Sequence, residues 1–144
     1  TVCGGFARPL KYTPQAYIIA NGETSSLTQA MKIAQSIQVA SSRGADVGLA
    51  GVINNMRGVP NEEAIVEEAF ETVGIPVIHH IPRSILVQTA ENLRTTVVEA
   101  FLESAQAKQY LELAEKMQQN TQRHALTREV LSSREIVAIV NKHA

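Results

Sequence analysis

The strongest constraint on the fold of this chain is the alternation of short apolar runs with longer stretches of helical periodicity. Apolar runs of strand length lie at 15–21, 47–55 and 75–82. Between them, apolar residues recur at the spacing expected on the buried face of a helix. Buried strands that alternate with such helices indicate βαβ units, in which parallel strands form one sheet. The predicted fold class is therefore α/β with a mostly parallel sheet.

Polar caps and glycines predict where the helices begin and end. The residues expected to cap the first backbone N–H groups of successive helices are Ser25 or Ser26, Asn61, Ser84 and Ser132. The glycines expected to end the first two helices are Gly44 and Gly74. Residues 105–119 are expected to be helical and 118–127 to form a polar loop. Glu135 follows Ser132 by three residues, which predicts a capping box.

Composition excludes several classes of function. The 144 residues carry 13 Lys and Arg against 14 Asp and Glu, so there is no basic surface of the kind that binds nucleic acid or an anionic membrane. No apolar run approaches the roughly 20 residues that a membrane helix needs. The single cysteine, Cys3, excludes an intrachain disulfide and fits a reducing compartment. The expectation is a cytoplasmic protein with neither nucleic acid nor membrane as a partner.

Polar residues follow each of the three predicted strands. They are Asn21-Gly22-Glu23, the run 54–57, and Pro82-Arg83-Ser84. Because ligands of open parallel sheets bind at the carboxyl ends of the strands, these segments predict a binding edge. The pattern does not identify the ligand.

Individual side chains at this edge allow two interpretations. The Asn55 amide can read the edge of a purine base or can simply stabilise a turn. Arg83 and Ser84 can contact a nucleotide or cap the next helix. His79 and His80 point to opposite faces of a strand, so they cannot chelate one metal together, and a packed histidine beside a polar neighbour is the favoured interpretation.

The glutamates at 62, 63, 67 and 68 are expected on a solvated helix face.

Cys3 precedes two glycines, whose free N–H groups can bond to a sulfur or an anion. A thiolate there can ligate an iron–sulfur cluster, but one thiolate cannot hold a cluster that needs about four ligands. The residues alone favour a buried, inert cysteine. The sequence contains no G-x-x-x-x-G-K-[ST] loop, so nothing in this chain cradles a triphosphate.

Several segments in register resemble the nitrogenase iron protein family, which includes the ATP-dependent reductase components of dark protochlorophyllide reduction and of nickel-tetrapyrrole (coenzyme F430) biosynthesis. The segments are V-C-G-G-F-A-x-P at 2–9, Y-I-I-A-N-G-E at 17–23, G-V-I-N-N-M-R at 51–57, H-H-I-P-R-S-x-x-V-Q-x-A-E at 79–91, T-V-V-E at 96–99 and Q-A-x-x-Y at 106–110. The resemblance covers residue 1 to about 117. It implies the carboxyl-terminal half of one P-loop NTPase-like three-layer sandwich, with the P-loop half absent and with 118–144 as a carboxyl-terminal extension.

The resemblance implies an ATP-dependent iron–sulfur reductase component that passes electrons to a partner metalloenzyme. In this family a homodimer holds one [4Fe–4S] cluster through two cysteines from each subunit, and Cys3 matches the second of these. It implies ATP with Mg as the nucleotide, ferredoxin or flavodoxin as electron donor, and a larger metal-cluster or tetrapyrrole-reducing partner. It implies no catalytic residue, and the chain alone is expected to be inactive. The residues expected around the nucleotide base are Asn55, Pro82, Gln88, Gln106 and Tyr110, with Arg83 and Ser84 in the same segment.

Three departures from the family pattern favour a nitrogenase-like relative over the nitrogenase reductase itself. Ser84 stands where the family commonly has Asp, Asn54 where iron proteins often have Cys, and Thr24-Ser25 where they have two methionines. The alternative is a P-loop partitioning or regulatory ATPase without a cluster, which has no use for the Cys3 turn. A third possibility is an inactive fragment that only self-associates.

Overall fold

A computed structural model of the chain describes residues 14–144, so Cys3 and its two glycines lie outside the described residues. The described chain is α/β, as the alternation of apolar runs and helices predicts. Its elements in order are β1 (Gln15–Ala20), α1 (Thr24–Ser42), β2 (Gly48–Asn55), α2 (Glu62–Thr72), β3 (Val77–Ile81), α3 (Ile85–Asn92), α4 (Val97–Ala100), α5 (Ala105–Gln119) and α6 (Ser133–His143). No helix within residues 14–144 is long and apolar enough to cross a membrane.

The three strands form one parallel sheet in the order β1-β2-β3. Ala20 at the end of β1 pairs with Asn54, and Asn55 at the end of β2 pairs with Ile81. All three strands therefore end at the same edge, and the loops that follow them leave the sheet side by side.

The sheet is the middle of three layers. Helices α1, α2 and α6 pack on one face, and α5 packs against β3 on the other. The largest fully buried side chains include Phe70, Ile18, Leu27, Met31, Ile37, Leu49, Ile65, Ile75 and Ile136. Residues 120–144 thus contribute Ile136 to the main core; that 118–144 is an extension of the family domain stays a prediction.

The expected caps are confirmed at two helices and wrong at the other two. Ser84 and Ser132 accept hydrogen bonds from the first turns of α3 and α6, and Glu135 completes the capping box. Helix α1 begins after Glu23 with no side-chain cap, because the hydroxyl of Ser26 accepts from the N–H of Asn21 instead. Asn61 occupies the cap position of α2 in a left-handed conformation, but its amide donates to the carbonyl of His143.

Candidate functional site

A cleft of about 520 Å³ opens at the carboxyl edge of the sheet, and we call it the edge cleft. It lies between the loops that follow β2 and β3 on one side and helices α3 and α5 on the other. The residues that line it are Asn55, Met56, Arg57, Pro82, Arg83, Ser84, Ile85, Val87, Gln88, Glu91, Gln106 and Tyr110. Its volume falls within the range of about 300–1,000 Å³ that is usual for small-molecule sites.

The five residues expected around a nucleotide base and the two beside them in sequence, Arg83 and Ser84, all lie in this one cleft, although they come from four different elements and loops. They are Asn55, Pro82, Arg83, Ser84, Gln88, Gln106 and Tyr110. The structure therefore brings the expected side chains together, while their binding of a nucleotide stays a prediction. The turn after β1, which was expected in the same rim, does not line the cleft.

Local structure explains how the cleft walls are placed. Gln106 and Tyr110 are four residues apart on α5, so they project from the same face of the helix. The end of α3 and the start of α5 are joined by a small apolar cluster in which Ala90 and Ala107 are buried and Tyr110 is packed alongside. The cluster thus holds α3 and α5 together as one side of the edge cleft.

Hydrogen bonds fix three of the cleft residues. Gln106 is buried, and its side-chain amide donates to the carbonyl of Pro82 at 3.1 Å, which ties α5 to the loop after β3. Arg83 donates from Nη1 to the carbonyl of Arg57 at 3.2 Å, which joins the loops after β2 and β3. The hydroxyl of Ser84 accepts from the N–H of Leu86 at 3.2 Å, so this side chain caps α3.

The two histidines of β3 lie on opposite faces of the strand, as expected. His80 bonds through Nδ1 to the Asn54 amide and through Nε2 to Glu67, both at 3.0 Å, on the face covered by α2. His79 contacts α5 on the other face. Its ring nitrogens lie 2.9 Å from the Gln109 amide oxygen and 2.9 Å from Nζ of Lys116.

The two contacts of His79 hold α5 on the sheet. No group of three or more His, Cys, Asp or Glu side chains within residues 14–144 could hold a metal ion.

Glu62, near this cleft, does not lie on the solvated helix face where the sequence predicted it. The expectation of a solvated side chain is wrong, because Glu62 is only 1% exposed. Its carboxylate accepts from the backbone N–H groups of Gly22, Arg57, Gly58 and Val59 at 2.9–3.0 Å. Burial raises its pKa, but these four donors outweigh burial and hold the pKa below its ordinary value. A glutamate in the first turn of a helix has the same sequence pattern whether it is exposed or folded back under a loop.

Comparison with known proteins places the chain in a family. The family model for 4Fe-4S iron sulfur cluster binding proteins, NifH/frxC family, matches residues 1–144. This chain belongs to the NifH/frxC family. Nitrogenase iron protein 2 of Methanothermobacter thermautotrophicus is 42% identical over 123 residues, which are 84% of this chain and 44% of that protein. Nitrogenase iron protein 1 of the same organism and its namesake from Methanobacterium ivanovii are 39% and 38% identical over 121 residues, which are 83% of this chain and 44% of each relative.

Family membership confirms the resemblance seen in the sequence, and with it the P-loop NTPase-like α/β fold. The chain spans less than half the length of these NifH/frxC relatives. The sole cysteine, Cys3, lies outside residues 14–144, so the described part of the chain contributes no thiolate to a cluster.

Proposed function

We propose that this chain is the base-binding and cluster-bearing part of an ATP-dependent iron–sulfur reductase that passes electrons to a partner metalloenzyme. The edge cleft carries the nucleotide-binding part of the proposal, because it gathers the seven side chains expected at a nucleotide site. Membership of the NifH/frxC family, whose model describes 4Fe-4S cluster binding proteins, supports the cluster-bearing part.

The chemistry of the edge cleft suits a purine base. The exposed amides of Asn55 and Gln88 each offer a donor and an acceptor, and a purine presents both kinds of group along its edge. The half-buried ring of Tyr110 supplies a flat apolar wall. Arg57 and Arg83 also line the cleft and bring positive charge to it.

Phosphate binding requires a further segment. The chain has no P-loop motif, and most of the affinity in such sites comes from backbone N–H groups that contact the phosphates. In this proposal the P-loop half supplies those contacts together with Mg, and the edge cleft orients the base.

We assign Cys3 as one ligand of a [4Fe–4S] cluster that two copies of the protein share. One thiolate from each copy provides two of the roughly four ligands that such a cluster takes, so the remaining two come from the P-loop halves. ATP binding between the subunits changes their docking, and hydrolysis gates the transfer of one electron to the partner. The protein works in the cytoplasm, and ferredoxin or flavodoxin reduces it.

Replacement of Cys3 tests the cluster assignment. In the polypeptide that carries this chain together with the P-loop half, Cys3→Ser is expected to abolish the electron paramagnetic resonance signal of the reduced [4Fe–4S] cluster. Circular dichroism checks that the variant keeps the α/β fold. Cys3→Ala serves as a second variant that offers no oxygen ligand.

A Cys3→Ser protein that kept normal iron, sulfide and resonance signal would contradict the assignment. That result would favour the alternative function, a P-loop partitioning or regulatory ATPase that binds a nucleotide in the same cleft but holds no cluster.

A further inference from the structure

The carboxylate of Glu62 joins two loops that are far apart in sequence. It accepts from Gly22 in the turn after β1 at 2.9 Å, and from Arg57, Gly58 and Val59 in the loop after β2 at 2.9–3.0 Å. The side chain is buried, so water does not compete for these hydrogen bonds. One side chain therefore fixes the relative position of both loops.

The loop after β2 forms one wall of the edge cleft. Asn55 and Arg57 both line the cleft, and the carbonyl of Arg57 accepts from the guanidinium of Arg83 at 3.2 Å. A continuous series of hydrogen bonds thus runs from Gly22 through Glu62 and Arg57 to Arg83. It connects the loops that follow all three strands.

The fit between Gly22 and Glu62 is close. A Cβ atom at position 22 would lie 2.8 Å from Cγ of Glu62, which is nearer than carbon atoms approach without a shift. Among residues 14–144, no Lys, Arg or His forms an ion pair with Glu62. Within the described part of the chain, every hydrogen bond to its carboxylate comes from a backbone N–H group, which suits a side chain that orders loops.

We propose that Glu62 is a positioning residue for the base site: it holds the Arg57 loop in the conformation that places Asn55 and Arg57 in the edge cleft, and it couples that loop to the turn after β1. This inference rests on the proposed function, because it assumes that a nucleotide base occupies the edge cleft.

The test uses the polypeptide that carries this chain together with the P-loop half. Glu62→Gln keeps the size of the side chain but replaces one acceptor oxygen with an NH₂ group that faces N–H donors. Glu63→Gln, in the same helical turn but exposed, is the matched control. Calorimetry measures the affinity of each protein for ATP and for inorganic triphosphate, which lacks the base.

We expect Glu62→Gln to weaken ATP binding about five- to tenfold and to leave triphosphate binding within about twofold of the unmodified protein. Glu63→Gln should change neither. Equal losses for ATP and triphosphate, or no loss for ATP, would overturn the positioning role. If the unmodified protein instead bound ATP no more tightly than triphosphate, the base would add no affinity, and that result would overturn the proposed function.

A second measurement needs no variant and covers the case in which Glu62→Gln does not fold. In the unmodified protein, ATP should slow hydrogen exchange at the Gly22 N–H, which lies outside the edge cleft but is bonded to Glu62. Unchanged exchange at Gly22, with slower exchange at Arg57, would show that the two loops are not coupled.

Discussion

Among single residues, Ser84 departs from the family pattern described above and caps helix α3 in this structure. The family commonly has Asp at this position, and both Asp and Ser are strong helix caps. The Ser84 hydroxyl accepts from the N–H of Leu86 and so begins α3 at the edge cleft. With Ser84 this chain has a strong cap residue at the start of α3 and lacks the negative charge that an Asp would bring to the cleft.

Loss of the Ser84 cap should destabilise the protein modestly. Ser84→Ala is expected to lower the free energy of unfolding by about 1 kcal/mol, and Ser84→Asp to retain most of the stability of the unmodified protein. Urea unfolding checks both values. Ser25→Ala, at an exposed position within α1, is the control and should cost less than about 0.5 kcal/mol. Equal free energies of unfolding for all three variants would contradict the claim that Ser84 stabilises the protein as the cap of α3.

The sequence predicted the role of a cleft residue only where that residue belongs to a segment that resembles the family. Gln106 and Tyr110 are about 50 residues beyond Asn55, yet the family resemblance placed them together. Glu62 belongs to no such motif, and its partners are backbone N–H groups, which every residue type except proline carries. A side chain that binds backbone leaves no complementary residue in the sequence to reveal it.

At the scale of elements, the capping box of α6 is the clearest case in which sequence and structure agree. Glu135 accepts from the Ser132 N–H at 2.8 Å and from Arg128 at 2.7 Å. The Ser132 backbone bond, then the Arg128 bond and the Ser132 hydroxyl, lower the pKa of Glu135 to about 2. The expected serine cap of α1 was wrong for an equally local reason, because the Ser26 hydroxyl accepts from the N–H of Asn21 in the preceding turn.

The lowered pKa of Glu135 predicts a pH dependence. Folding favours the ionised carboxylate, so its contribution to stability is complete above its ordinary pKa of 4.5 and is lost as the pH falls toward 2. The difference in urea midpoint between the unmodified protein and Glu135→Gln should therefore be largest near pH 7 and shrink between pH 4.5 and 2. Glu129→Gln, an exposed control, should show no such trend. A difference that stayed constant across this range would contradict the role of the ionised form.

At the scale of the whole molecule, the α/β fold was predictable because strand and helix periodicities differ and alternate cleanly. The observed bounds of β2 and α5 also agree with the predicted ranges of 47–55 and 105–119 to within one residue. The position of α6 in the fold could not be predicted, because no local sequence signal shows that Ile136 packs into the core beside α1 and α2. Long-range packing of this kind depends on shape, which periodicity does not encode.

Calorimetric titration with ATP shows whether the edge cleft orients the base of a nucleotide. In the polypeptide that includes the P-loop half, Asn55→Ala should weaken ATP binding by about 1–3 kcal/mol, because polar groups of the base lose their partner. Iron content should be unchanged, and Asn92→Ala, at the exposed end of α3, should bind ATP normally. Full ATP affinity in Asn55→Ala, or a parallel loss of iron and nucleotide, would contradict the assignment of the cleft.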